Sequence, residues 1–258
     1  MAKGQSIEKA KKSVARDNEV AKMFDSMGIK MVSITERNFK MLNTEVTQKL
    51  YTSVMNSNTS YYKGDNNPVV GVSWYDAIYF CNKLSIKFGF TPVYAVDGKT
   101  DVATWNYTPH NGDSILGEVT QNTKANGFRL PTEEEWVYAA RGGQFHRYSG
   151  SNSLDEVGWY YDNSGGKKHP VAQKKANGYG LYDMSGNVWE WCWDVNPDDR
   201  DRRYYRGGSY NSYDRYHRGN GYYGFDYHCE VDLRGRDDSY ASYQTSNLGF
   251  RIVCSGSN

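Results

Sequence analysis

The sequence predicts an α+β protein: a few early helices, then a twisted antiparallel sheet threaded through long stretches of ordered loop. Three observations predict it. The three helices read from a start signal, at Thr44, Ser73 and Thr132, all lie before Gly143. After Arg141 no helical period survives, and short apolar runs are broken by Gly, Asn and Pro. At the far end Leu248, Phe250 and Ile252 alternate as a last strand.

Residues 1–30 carry seven Lys/Arg against four Asp/Glu, with Ile7, Ala10, Val14, Met23, Phe24 and Met27 apolar. They predict a marginal amphipathic helix that frays or acts as a tether. Ile29 to Met41 alternates through Met31, Ser33, Phe39 and Met41, which predicts early strands. Thr44 is placed to cap a helix with Val46, Leu50 and Val54 on one face. Ser73 caps the next, where Ala77, Ile78, Cys81, Leu84 and Phe88 share a face and Gly89 supplies the stop. Thr132 with Glu135 makes a capping box ahead of Trp136, Ala139 and Ala140, and Gly142-Gly143 ends that helix. The run Glu133-Glu-Glu135 therefore complements a helix N-terminus and is not an acid/base pair. Residues 91–127 read as a hairpin or long loop. Val188, with Trp189, Trp191 and Trp193, reads as a strand with an aromatic inner face.

The chain of 258 residues has a net charge of +1, so no global field draws nucleic acid or a charged membrane surface. Cys81, Cys192, Cys229 and Cys254 form no C-x-x-C pair and read as small buried residues. No apolar run approaches the ~20 residues of a membrane span. Met1-Ala-Lys-Gly runs straight into charged residues, so no signal peptide is expected within this sequence.

The most unusual stretch is residues 210–243, with eight Tyr, five Asp, four Gly and four Arg, but no Lys, Gln, Met or Trp. It is too polar for a core and too aromatic for a linker. Tyr with Arg and small polar spacers is the composition of a binding surface, because Tyr brings large amphipathic contact area at low entropy cost. His217 and His228 near Asp214 and Asp226 have irregular spacing and lack a clear third metal ligand.

An ordered series of motifs frames that stretch. It runs Glu45-Val-Thr47, Pro68-Val-Val-Gly-Val-Ser-Trp-Tyr-Asp-Ala77, Gly127-Phe-Arg-Leu-Pro-Thr-Glu-Glu-Glu-Trp136 and Ala139-Ala-Arg-Gly-Gly143. Asn177 to Trp191, Arg206-Gly-Gly-Ser209 and Leu248-Gly-Phe-Arg251 complete it. Over residues 31–254 this resembles the formylglycine-generating, sulfatase-modifying family, a variant of the C-type lectin fold. The resemblance implies a domain over 31–254 behind the 1–30 segment. The family's enzymes place a cysteine pair shortly after Gly-Gly-Ser. Those places fall on Ser212 and His217, and neither supplies the thiolate that such copper and redox chemistry needs. The formylglycine-generating oxidase is thus the alternative, and a non-enzymatic binding protein the expectation.

A Tyr-rich segment between Gly-Gly-Ser and Gly-Phe-Arg resembles the variable proteins of diversity-generating retroelements. There, adenine-templated mutagenesis rewrites Asn codons in a way that cannot reach Lys, Glu, Gln, Met or Trp; of these, only Glu230 occurs in 210–243. The resemblance implies that Tyr210, Tyr213, Asp214, Tyr216, His217, Asn220, Tyr222, Tyr223, Phe225, Asp226, Tyr227, Asp237, Asp238, Tyr240 and Tyr243 form a variable binding site. The expected partner is a protein or a glycan, not nucleic acid. The protein is expected to be a monomer at a bacterial cell surface, held to membrane only through a lipid anchor outside this chain. The family also keeps a calcium loop where Asp183 and Glu190 offer carboxylates and Gly186 and Val188 offer carbonyls. A structural calcium ion is one reading of that loop, and a hydrogen-bonded turn holding the tryptophan strand is the other.

Overall fold

The computed structural model of the chain describes residues 18–212, 228–231 and 237–256. The chain forms two compact units, Met1–Lys30 and Met31–Asn258. Within the first, residues 18–27 are helical (α1), closed by Gly28 N donating to Asp25 O and Ile29 N to Phe24 O.

The second unit opens with the strand pair β1 (Met31–Ile34) and β2 (Phe39–Leu42), in register Met31↔Leu42 to Ile34↔Phe39. The far edge of β2 takes the last strand, β9 (Val253–Ser255), so the first and last strands of the unit share one sheet. Helix α2 (Gln48–Met55) starts three residues later than its sequence signal implies. Thr47, not Thr44, is the cap, its hydroxyl accepting from Leu50 N. Thr44 Oγ1 donates to Glu45 O, and Val46 is drawn into an extended segment by Val46 N→Phe250 O and Val69 N→Val46 O. Pairing with distant backbone overrides the local cap signal.

Helix α3 (Trp74–Lys87) and helix α4 (Glu133–Arg141) carry the expected capping boxes, Ser73 with Asp76 and Thr132 with Glu135. Gly142 closes α4 in the left-handed region at φ 59°, where a side chain is disfavoured. Between these helices, β3 (Tyr94–Val96) and β4 (Val119–Gln121) pair antiparallel, so residues 91–127 are a hairpin with a long connection. A short helix α5 (Leu154–Val157) follows.

The main sheet has the order β7-β6-β5-β8, with β5 (Trp189–Val195), β6 (Arg202–Arg206), β7 (Asp237–Tyr240) and β8 (Leu248–Gly249). The first four residues of β5 are buried on both faces, not on the aromatic one alone: Glu190 and Cys192 are as enclosed as Trp191. Two indoles tie the strand to α3 and the residues just before that helix, with Trp74 Nε1→Cys192 O at 2.9 Å and Trp191 Nε1→Val72 O at 3.0 Å. A buried indole usually finds such a partner, and truncating one typically costs about 3–5 kcal/mol. The predicted last strand is in fact two. Residues 248–249 run parallel to β5, whereas 253–255 join β2. Arg251 lies between them, fully buried, and its ion pair turns the chain from one sheet to the other.

Candidate functional site

The stretch 210–243 leaves and rejoins the scaffold at points that are bonded to one another. At its entry Gly207 and Gly208 adopt φ 101° and 72°, and a Cβ on Gly208 would stand 2.5 Å from Cys229 Sγ. Ser209 N donates to Ser212 Oγ at 3.0 Å and Ser212 N returns to Ser209 O at 2.8 Å, closing a tight turn. Tyr210 N donates to Asn187 O. At the exit, Asn247 Nδ2 reaches back to Ser209 Oγ at 3.3 Å and Asn211 Oδ1 at 3.0 Å, while Trp189 N donates to Asn247 O. Tyr210 Oη and Ser246 Oγ lie 3.4 Å apart.

The return is also moored to the start of α3. Trp74 N donates to Ala241 O, Gly71 N to Thr245 O, and Gln244 Nε2 to Asp76 Oδ2. Asp76 is fully buried and also accepts from Ser73 N, Tyr107 Oη and His110 N. Burial alone would raise its carboxyl, but the bonds and charge of His110, with Ser73 and Tyr107, hold it below the usual carboxylate range.

A third anchor lies mid-stretch. Cys229 and Val231 are buried, Ser185 Oγ donates to Cys229 O, and Val231 N donates to Arg147 O. The ring of His228 packs against Trp189 at 5.1 Å, with Nε2 3.8 Å from Asp237 Oδ2.

Of the expected binding residues, Tyr213, Asp214, Tyr216, His217, Asn220, Tyr222, Tyr223, Phe225, Asp226 and Tyr227 lie outside the described residues. Tyr240 and Tyr243 are 55% and 46% exposed, and Tyr210 is half-buried. Asp237 and Asp238 sit in β7 opposite Tyr205 and Tyr204. Asp238 is occupied within the fold by Arg202 at 2.7 Å and by Asn196, and Arg202 lies over the Tyr240 ring. Ser212, at a place where the family's enzymes keep a cysteine, spends its hydroxyl on the Ser209 turn. All four cysteines are buried thiols, and burial pushes Cys81 and Cys192 up, away from the thiolate.

The loop read for calcium is held by a dense set of bonds. Both Glu190 oxygens are taken, by Arg251 Nε and Nη2 at 2.6 Å each and by Trp136 Nε1 at 2.7 Å. Asp183 Oδ2 accepts from Ala172 N, while Asp183 Oδ1 and Glu45 Oε2 are buried without a hydrogen-bond partner. The two carboxyls lie close enough to influence one another. Burial pushes Asp183 up to about 6, and burial with the charges of Asp183 and Glu190 raises Glu45 well above the usual range. Gly186 and Val188 lie in the turn whose Asn187 side chain donates to Glu45 Oε1 and His169 O. Glu190 is thus paired with Arg251, while the unpartnered Asp183 Oδ1 and Glu45 Oε2 are hard oxygens of the kind a calcium ion takes. Sequence reasoning passed over Glu45, Gln244 and Asn247, though each stands in or beside a motif that frames the stretch.

The model of the sulfatase-modifying factor enzyme 1-like domain matches residues 6–255. The chain belongs to this family. Among solved structures of the sulfatase-modifying factor fold, Treponema denticola variable protein 1 superposes with a TM-score of 0.72 at 33% identity, covering 88% of this chain and 91% of that one. CarF follows with a TM-score of 0.64 and 29% identity over 84% of this chain and 86% of its own. The chaperone protein LppX of Paenibacillus barcinonensis is 45% identical over 182 residues, 63% of this chain and 64% of LppX. The mouse formylglycine-generating enzyme is 30% identical over 217 residues, 73% of this chain and 44% of the enzyme. The chain thus spans less than two thirds of the length of these two curated relatives.

Proposed function

We propose that this family member is a non-enzymatic binding protein whose segment 210–243 carries an exchangeable, Tyr-rich ligand site on a lectin-like scaffold. The observation that carries the reading is the closed frame: Asn247 bonds the exit of the segment to Ser209 and Asn211 at its entry, while Tyr240 and Tyr243 stand exposed. A loop moored at its entry, middle and exit accepts changed side chains at little ordering cost on binding. The likeness to a protein named as variable supports it. Retroelement-driven diversification and a bacterial cell-surface location through a lipid anchor belong to the same proposal, as does a protein or glycan partner that changes with the variant.

The test is a library with Tyr213, Asp214, Tyr216, His217, Asn220, Tyr222, Tyr223, Phe225, Asp226 and Tyr227 randomised and selected against a fixed protein target. Binders that melt with the parent support the reading; a library that unfolds throughout refutes it. The formylglycine-generating oxidase is the second reading, favoured by the mouse relative. Conversion of a Cys-x-Pro-x-Arg peptide to its aldehyde with copper present would install it.

A further inference from the structure

Beside the entry of the variable segment lies a fixed surface that the reading above does not use. Residues 57–67 form a loop folded around the buried amide of Gln48. Its Nε2 donates to Tyr62 O and Pro68 O, and its Oε1 accepts from Asn58 Nδ2 and Gly64 N. That scaffold holds Tyr61 and Tyr62 outward, 83% and 67% exposed, as a T-shaped pair with centroids 5.0 Å apart. A second loop, 161–171, is joined to it by Val171 N→Asn66 O. Its other end is joined to the variable segment by Tyr161 N→Ser212 O and Ser164 Oγ→Tyr210 O.

This second loop delivers Lys168. The residue is 7% exposed, with Nζ 5.7 Å from the Tyr62 ring centroid, and no carboxylate pairs with it among the described residues. A lysine whose stem is packed this closely into the fold normally has a counter-charge beside its ammonium. Here its charged neighbour is a second ammonium, Lys63, which donates to Asn58 O at 2.7 Å. Burial, and then the like charge of Lys63, hold Lys168 below the ordinary lysine range. An anion at this point would relieve both effects.

We propose that Lys168, Lys63, Tyr61 and Tyr62 form a fixed subsite for an acidic sugar, whose carboxylate or sulfate meets the two ammonium groups while its ring stacks on tyrosine. The sugar is favoured over an acidic peptide by the lining. From Ser57 to Asn67 and from Tyr161 to His169 there is no aliphatic side chain, only amides, hydroxyls, Tyr, Lys, His, Gly, Asp65 and Asp162. Peptide hot spots bring apolar pockets, whereas flat aromatic faces rimmed by polar groups match a pyranose. The subsite uses no residue of 210–243 and stands whether or not that segment binds a ligand.

The experiment is calorimetric titration of the full chain with a chondroitin sulfate tetrasaccharide. Its arms are the desulfated, carboxyl-reduced tetrasaccharide, inorganic sulfate and an oligoglutamate peptide. Binding of the acidic sugar alone, weakened by added salt and reduced about tenfold in Lys168→Met and in Tyr62→Leu, is the expected result. Tyr62 is exposed, so Tyr62→Leu reads the subsite even if the buried Lys168 position tolerates no change. Equal binding of the neutral sugar, unchanged affinity in Tyr62→Leu, or displacement of the tetrasaccharide by equimolar sulfate or oligoglutamate would overturn the proposal.

Discussion

Arg251 and Glu190 form a fully buried, two-pronged ion pair, guanidinium Nε and Nη2 each 2.6 Å from a separate carboxylate oxygen. Two further guanidinium donors go to Leu42 O and Tyr182 O, and Trp136 Nε1 supplies a further donor to Glu190. One pair therefore joins β5, helix α4, the end of β2, the segment at Tyr182 and the crossing from β8 to β9. Arg251→Met leaves the Glu190 charge uncompensated in the core, with an expected loss of about 3–5 kcal/mol. Urea denaturation of Arg251→Met, Glu190→Gln and the double variant checks this. The double variant should lose less than the two single losses added together, because the partners act as one unit.

The Gly-Gly entry to segment 210–243 is a conformational requirement. At φ 72° and with Cys229 Sγ in the place of a Cβ, Gly208→Ala is expected to cost about 1–3 kcal/mol. Cys229→Ala added to it should restore part of the loss, the share due to contact with sulfur, and leave the backbone strain. Thermal melts of the three proteins separate those shares.

Asn247 holds entry to exit. Asn247→Ala removes its bonds to Ser209, Asn211 and Thr245, with an expected stability loss of about 1–2 kcal/mol. Hydrogen exchange should quicken at the amides of Tyr210 and Ser212 and stay unchanged within α3. Uniform quickening over both would show that Asn247 supports the whole domain and not the frame.

Glu45 and Asp183 make stability fall as pH rises. Their folded-state pKa values lie above the unfolded ones, so the folded chain holds the extra proton. That contribution is complete below the unfolded carboxylate range near ~4 and is lost as pH climbs through about 6, where Asp183 titrates. Asp183→Asn keeps an acceptor for Ala172 N and offers a donor to Glu45. It should flatten the dependence between those limits and raise the melting temperature at neutral pH. A lowered melting temperature in Asp183→Asn, with calcium stabilising only the parent, would show instead that the carboxyls hold a cation.

Much of this protein was legible in the sequence. The capping boxes at Ser73 and Thr132 and the stop at Gly142 are local, because a cap needs only residues three apart. The α+β class follows from where helical period ends, and the Tyr-rich stretch follows from composition. Other features were decided only in three dimensions. Thr47 displaced Thr44 as the cap because Val46 found backbone partners in Phe250 and Val69. The last alternating run became two strands because buried Arg251 needed Glu190, sixty-one residues away in the chain. Glu190 took Arg251 as its ion-pair partner for the same reason, and Lys168 came to stand beside Tyr62 through the fold of two distant loops. Local signals state what a segment can do alone. Buried charges and hydrogen bonds between segments, whose partners only the folded chain supplies, decide which of those states it keeps.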